Sequence, residues 1–500
     1  MKQRPRTLRS GAITPARGDI ATLARAGNVV PVFREILADL ETPVSAFLKI
    51  HRGAYGFLLE SVEGGEKWAR YSFLGTEPAR VVRIRGRTVE VETPGAGTTR
   101  ETVDDPLDGL RRILAGYRPV AVPGLPRFAG GAVGHVGYDV VRTFERLPSR
   151  VPDDLELPDA CLLLAETLLV FDNVAQKIKV VSHAHVGDGT SPEAAYDAAV
   201  ARIDALIARL GAPVVQPEPI EAVPGEVAST FTQAGYEAAV ERAKEYIRAG
   251  DVIQVVLAQR FEMPLAVPPF DVYRCLRTVN PSPYMFFLAL GDHALAGASP
   301  EVMARVEDGE VTVRPIAGTR PRGTVEREDA ALAAELAADA KELAEHVMLL
   351  DLARNDVGRV ARPGSVQVTE RFAIERYSHV MHLVSNVRGE LAAGRDCFDA
   401  FRAAFPAGTL TGAPKIRAME IIEELEPVRR SVYGGAVGYF AFSGAMDTAI
   451  TIRTVLAKGG RVYIQAGAGI VADSDPEAEH RECVNKARAM IQAVHLAEAL

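Results

Sequence analysis

Two short acidic stretches carry side chains whose types and spacing could do chemistry. In Lys341 to Asp356, KELAEHVMLLDLARND, a helical repeat of about 100° per residue sets Glu342 and Glu345 one turn apart on one side. In Asp473 to Cys483, DSDPEAEHREC, Asp475 and Pro476 read as a helix cap and a first-turn proline. Glu479 and Glu482 then repeat the one-turn spacing, and Lys486 follows Glu482 at the favourable i, i+4 offset. Glutamates so arranged are commonly no more than a solvated face. The same device on two helices points instead to a site between them. Carboxylates without paired His or Cys suit a hard divalent ion, Mg²⁺ before Zn²⁺.

Four further stretches could contribute. GAGIVA, Gly467 to Ala472, satisfies the dinucleotide pattern G-x-G-x-x-A, but Asp473-Ser-Asp-Pro follows it and would put negative charge where a pyrophosphate should lie. Close backbone approach to a small anion suits it better. GTLTGAPK, Gly408 to Lys415, is either an anion-binding turn or an ordinary loop. Arg453, on what reads as the apolar strand DTAITIRT, pairs with a core carboxylate or with a ligand's carboxylate. His382, in RYSHVMHLVS, alternates with apolar residues, as a satisfied core histidine or a catalytic one would.

The elements that must position these groups are partly legible. Leu332, Leu336, Leu343, Val347 and Leu350 form one apolar stripe, and Met348, Leu349 and Leu352 make the glutamate side apolar too, predicting a single helix buried all round. Arg461 to Gln465 reads as a strand leading into the glycines. Earlier, Tyr55 to Ser61 reads as a short buried strand, Ala79 to Thr93 as a hairpin about Arg85-Gly86-Arg87, and Leu162 to Val181 as another about Asp172-Asn173. Ser191 to Leu210 is helical in period, and Thr232 caps a helix ending at Gly250, before a strand over Val252 to Phe261. Pro213, Pro217, Pro219 and Pro224 mark a linker, with domains 1–225 and 226–500 on either side. The pentamer GGAVG occurs at Gly130 to Gly134 and again at Gly434 to Gly438, by coincidence or on related strands.

Composition narrows the partners. A chain of 500 residues with net charge −8 lacks the basic stripe of a nucleic-acid binder. No run reaches the ~18 apolar residues of a membrane span. The basic start (Lys2, Arg4, Arg6, Arg9) lacks a signal peptide's apolar run and reads as a frayed end. Cys161, Cys275, Cys397 and Cys483 stand singly, as reduced thiols in a cytoplasm do.

SPE (Ser299 to Glu301), PIAGTRPRG (Pro315 to Gly323), KELAEHVMLLDLARND, RYSHVMHLVS, FPAGTLTGAPK, YGGAVGY, ITIRT and QAGAGIVADSDPEAE occur in the order of the signature blocks of the chorismate-utilising enzymes, which this chain resembles over about residues 30 to 500. The resemblance implies an α+β fold of two interlocked domains, the larger a sheet-rich chorismate-binding unit. Within the family, isochorismate and salicylate synthases carry a lysine where this chain has Gln254, and one common type of aminodeoxychorismate synthase carries one where it has Ala317. The resemblance therefore implies free ammonia as nucleophile and anthranilate and pyruvate as products, with aminodeoxychorismate synthase, some forms of which lack that lysine, as the alternative. It also implies Mg²⁺ held by Glu345 and Glu482 with Glu342 and Glu479 close by, and proton transfer by Glu301 and His382 with Thr409 alongside. Chorismate would be held by Gly318, Thr319, Tyr433, Arg453, Gly467, Gly469 and Lys486.

None of the four cysteines sits in the Gly-x-Cys-x-Gly turn of a glutaminase, so the resemblance implies a separate glutamine amidotransferase subunit, in a heterotetramer of two large and two small subunits. LLES (Leu58 to Ser61) and NPSPYM (Asn280 to Met285) match the family's feedback site. Glu60, Ser61, Asn280, Pro283, Tyr284, Met285, Val437, Gly438 and Tyr439 are thereby implied to bind L-tryptophan. Cys483 and Thr411 depart from the family's commoner threonine and serine by small polar changes.

Overall fold

The computed structural model describes residues 10–61, 70–187, 189–214, 225–377 and 380–499. The basic start and the Pro217–Pro224 part of the linker lie outside these residues.

Two large sheets, antiparallel in their strand pairings, lie face to face, and each is built from both ends of the chain. From edge to edge the first runs Ser10–Thr14, Val29–Leu37, Lys177–His185, Thr167–Asp172, Tyr71–Thr76, Tyr55–Glu60, Tyr284–Leu290, His293–Ser299, Thr454–Lys458, Arg461–Ile470, Gln254–Pro264 and Ala228–Ser229. The second runs Ile316–Pro321, Val380–Glu390, Glu310–Val313, Val302–Glu307, Met446–Ile450, Ala436–Ala441, Gly131–Val136, Ala160–Ala165, Arg80–Arg85, Thr88–Thr93 and Gly97–Thr102. The N-terminal and C-terminal strands meet at one seam in each. Met285 lies opposite Glu60 in the first sheet, and Gly438 opposite Gly134 in the second.

Strand alternation sorts the apolar side chains into layers. Along Ala436–Ala441, Val437, Tyr439 and Ala441 face the other sheet, joining Phe57, Phe73, Val133 and Leu163 in the central core. Ala436 and Phe440 face outward onto the helices Pro106–Ala115 and Cys397–Ala404. The helices Pro43–Ile50, Pro192–Leu210, Pro269–Val279 and Pro476–Glu498 cover the outer face of the first sheet. The order is helices, sheet, sheet, helices, an α+β architecture.

The hairpin about Gly86 and the helices Pro192–Leu210 and Gln233–Arg248 lie where the periodicity puts them, the last capped by Thr232. The acidic helix departs from expectation. Asp339 ends one helix, Glu326–Ala338, and caps a second, Ala340–Gly358, by accepting the Lys341 and Glu342 N–H groups. Leu332 and Leu336 thus belong to a different helix from Leu343 and Val347. The second helix buries His346, Leu349, Leu350, Ala353 and Val357, while Val347 is 52% exposed. A capping aspartate between two apolar runs rotates the phase of the second, which a single stripe drawn across both cannot register.

Candidate active site

The groups named from sequence gather where the chain switches between sheets. Glu301 sits in the two-residue corner between Ser299 of the first sheet and Val302 of the second. Arg453 sits in the return corner between Ile450 and Thr454, with φ +52°, so it is not on a strand as its apolar neighbours suggest. A corner frees a side chain from the strict in-or-out alternation of a strand.

Glu301 is 7% exposed, and its carboxyl accepts from the Ile316 N–H. Burial pushes its pKa up to about 8, against the pull of Thr409 and Arg453, so at neutral pH it holds a proton. The Thr409 hydroxyl is buried beside it without a hydrogen bond of ordinary geometry to a described residue. Arg453 makes no ion pair within 4 Å among the described residues, and its guanidinium is depressed in pKa by burial. A partly buried cation left without a carboxylate calls for an anionic ligand.

His382, on the strand Val380–Glu390, places Nδ1 3.1 Å from the Gly318 carbonyl and 3.1 Å from the Thr319 hydroxyl. The carbonyl can only accept, so Nδ1 carries the proton and Nε2 is left bare as a base. Burial lowers the imidazole's pKa and keeps it neutral. Gly318 adopts φ +61°, which requires glycine, and a Cβ there would also crowd Leu336 at 2.8 Å and the Glu342 carboxylate at 3.0 Å.

Gly467 and Gly469 continue the strand Arg461–Ile470 and do not form a turn. A Cβ on Gly467 would lie 2.9 Å from the Tyr433 hydroxyl, and one on Gly469 2.2 Å from the Gln254 amide nitrogen. The small residues keep this floor low. Lys486 bridges the Glu482 carboxylate at 2.6 Å and the Gly467 carbonyl at 3.0 Å, tying the Pro476–Glu498 helix to that floor. Lys415 is committed elsewhere, to Asp356 at 3.1 Å, so GTLTGAPK offers Thr409 to the site but not a lysine.

The four glutamates, a pair on each of two helices, lie near enough for charge to couple across the pairs, Glu482 with Glu345. Burial raises the pKa of Glu345, and the like charges of Glu342 and Glu482 add to it, while the Gln254 amide opposes them. Burial likewise raises that of Glu479, and Glu482 adds to it. Glu342 is paired with Arg320 at 3.0 Å and Glu482 with Lys486. Among the described residues no three acidic, His or Cys side chains are drawn together as a finished cage. Mutual repulsion between half-buried carboxylates on facing helices is nevertheless what a hard cation would relieve, and an all-oxygen donor set fits Mg²⁺.

Sequence reading missed the support beneath. Arg430, fully buried, is ion-paired with Glu426, donates to the Val256 carbonyl at 2.9 Å and holds the Leu410 carbonyl, joining the Thr409 turn to the first sheet. Nothing in PVRRSVYGG separates it from a surface arginine.

A second pocket, of about 70 Å³, opens at the seam between the halves. Glu60, Ser61, Pro283, Tyr284, Met285, Val437, Gly438 and Tyr439 line it, and Asn280 does not, because it ends the Pro269–Val279 helix. Arg127, Arg305 and Asp447 also line it and went unnoticed: Asp447 binds both arginines and accepts from the Tyr284 hydroxyl at 2.8 Å. The Glu60 carboxylate points to Tyr273 and Arg277, and burial raises its pKa.

A family model described as chorismate binding enzyme matches residues 97–492. The chain is 51% identical to anthranilate synthase component 1 of Pseudomonas aeruginosa over 96% of its own length and 99% of the relative's. It is 46% identical to that of Aquifex aeolicus over 96% and 97%. The crystal structure of anthranilate synthase component I from Streptococcus pneumoniae superposes with TM-score 0.76 at 38% identity, over 91% of this chain and 99% of that one. The menaquinone-specific isochorismate synthase of Escherichia coli, 18% identical with TM-score 0.71 over 95% and 99%, shares the fold.

Proposed function

We propose that this chain, which belongs to the chorismate-binding enzyme family, is a lyase of the anthranilate synthase component 1 kind that converts chorismate and ammonia to anthranilate and pyruvate. The observation that carries the reading is Arg453, without an ion pair among the described residues, beside Glu301, Tyr433 and the glycine floor. This is a cation waiting for a carboxylate next to an acid that keeps its proton. Chorismate is a dicarboxylate whose C4 hydroxyl must leave as ammonia adds at C2. Arg453, Tyr433 and the Gly469 N–H hold the enolpyruvyl carboxylate, with Gly318, Thr319 and Gly467 shaping the pocket and Lys486 holding its floor. Glu301 delivers the proton to the departing hydroxyl, and the bare Nε2 of His382 handles the second proton transfer.

Glu345 and Glu482, with Glu342 and Glu479 behind them, would hold Mg²⁺, which when bound supplies Lewis-acid polarisation of the ring carboxylate. Gln254 stands where a water-activating lysine would favour hydroxylation, which supports ammonia as nucleophile. The relatives' designation as component 1 supports a second subunit; in this reading that subunit cleaves glutamine, and two copies of each chain assemble in the cytoplasm. Residues 1–225 and 226–500 act as two domains, and tryptophan in the seam pocket favours an arrangement that binds chorismate poorly.

The test is a purified chain given chorismate, Mg²⁺ and an ammonium salt at mildly alkaline pH. Anthranilate fluorescence should appear, vanish with EDTA, and fail to appear when glutamine alone replaces ammonium. A para-amino product, or none, would refute the assignment.

A further inference from the structure

A small cavity of about 30 Å³ adjoins the substrate site on the Glu301 side. Glu301 and Thr409 line it, together with Leu349, Leu352 and Ala353 of the Ala340–Gly358 helix and, among the same lining residues, Asp356. Apart from those three polar side chains the lining residues are apolar or glycine. The buried Thr409 hydroxyl lies close enough to the Glu301 carboxyl to lower its pKa but makes no hydrogen bond of ordinary geometry to a described residue, so it keeps bonding capacity at a cavity large enough for one water. A water there needs at least two polar partners, and the Thr409 hydroxyl and Glu301 carboxyl supply them. Asp356 is occupied by Lys415 at 3.1 Å and does not compete.

We propose that this cavity receives the water formed from the C4 hydroxyl of chorismate. The inference rests on the amination reaction proposed above. As the C2–N bond forms and the ring double bond shifts, the C4–O bond breaks with its electron pair on oxygen. The Glu301 proton completes a water molecule. The nitrogen, cationic after adding, gives up one proton, and its return to Glu301 restores the acid. The new water emerges beside Glu301, where solvent has little access, and Thr409 draws it away from C4, where its return would reverse the step. Thr409 is then a catalytic residue through its contact with the leaving group, and Ala353 is a positioning residue that keeps the space open.

Ala353→Val fills the cavity with two methyl groups while leaving every polar group in place. The expected result is a kcat lowered roughly tenfold, a fraction of what a positioned acid contributes, with KM for chorismate and for ammonia unchanged. An unchanged kcat, or a loss confined to KM, overturns the proposal. Should that variant not fold, a crystal structure of the unaltered chain decides: an ordered water within hydrogen-bond distance of Thr409 Oγ1 supports the assignment and a dry cavity overturns it. The unaltered chain in the same assay separates the two readings. Failure to form anthranilate removes both, whereas normal turnover with an insensitive Ala353→Val removes only the cavity.

Discussion

Counted within its own half, nearly every strand of residues 10–187 has a counterpart in residues 228–470. Inward from either edge of the first sheet come the first, second, last, last-but-one, fourth and third strand of that half. In the second sheet the GGAVG strands, Gly131–Val136 and Ala436–Ala441, pair with each other, Gly134 against Gly438. The repeated pentamer marks related strands. The covering helices correspond too: Ser191-Pro192-Glu193-Ala194 opens one and Asp475-Pro476-Glu477-Ala478 the other, each capped by its first side chain.

The halves differ where chemistry is done. Glu479 and Glu482 stand three and six residues after the opening proline, where the first half has Ala195 and Ala198. At the corner between sheets the second half carries Arg453 and the first carries Glu166, whose carboxylate meets His185 at 2.9 Å and Tyr117 at 3.1 Å. Residues 94–96 join two strands in the first half; residues 314–379 separate the matching strands in the second, bringing Gly318, Thr319 and the Glu342–Glu345 helix. One scaffold thus serves two ends. An anion site needs the unpaired cation and the inserted helix, and a half without them can only pack.

That contrast can be broken directly. Arg453→Glu gives the second corner the first corner's charge, and should lower kcat/KM for chorismate by on the order of a thousandfold or more, since a buried bidentate contact is replaced by repulsion. Glu301→Gln should cost about 10²–10³ in kcat, the worth of a positioned acid. Its pH profile sharpens the point. Glu301 is protonated below about 8, so at fixed free ammonia turnover should fall as pH rises through that value, and the residual activity of Glu301→Gln should lack this alkaline limb.

At the seam the halves should behave alike. A Cβ at Gly134 would lie 2.0 Å from the Cys161 carbonyl, and one at Gly438 2.1 Å from that of Asp447. Each alanine variant should lose about 2–4 kcal/mol in a denaturant titration, because backbone cannot yield as a side chain does. Gly438→Ala should lose the more, since its φ of +153° adds strain that Gly134 lacks, and a smaller loss there than at Gly134 would undo the equivalence. Tyr284→Ala, which removes one partner of Asp447 in the seam pocket, should weaken the proposed tryptophan inhibition roughly tenfold, the worth of one or two lost contacts. The smallest effect belongs to Ala198→Glu: a carboxylate where Glu482 has its counterpart should leave turnover untouched.

The linear chain by itself determined which chemistry was available. Two Glu-x-x-Glu pairs, the caps Thr232 and Asp475 and the Gly86 hairpin could be read because each depends on neighbours within a turn or a hairpin, whereas the seam segments were marked only by the family resemblance. Arg453 read as a strand residue and the acidic helix as continuous across Asp339, because their conformations are set by what packs against them. Arg430 beneath Thr409, and Asp447 between Arg127 and Arg305, left no local trace at all. Only the tertiary structure decided that the corner cation finds no ion-pair partner among the described residues and that Glu301 keeps its proton. Both follow from burial, and burial is fixed by strands hundreds of residues apart lying side by side.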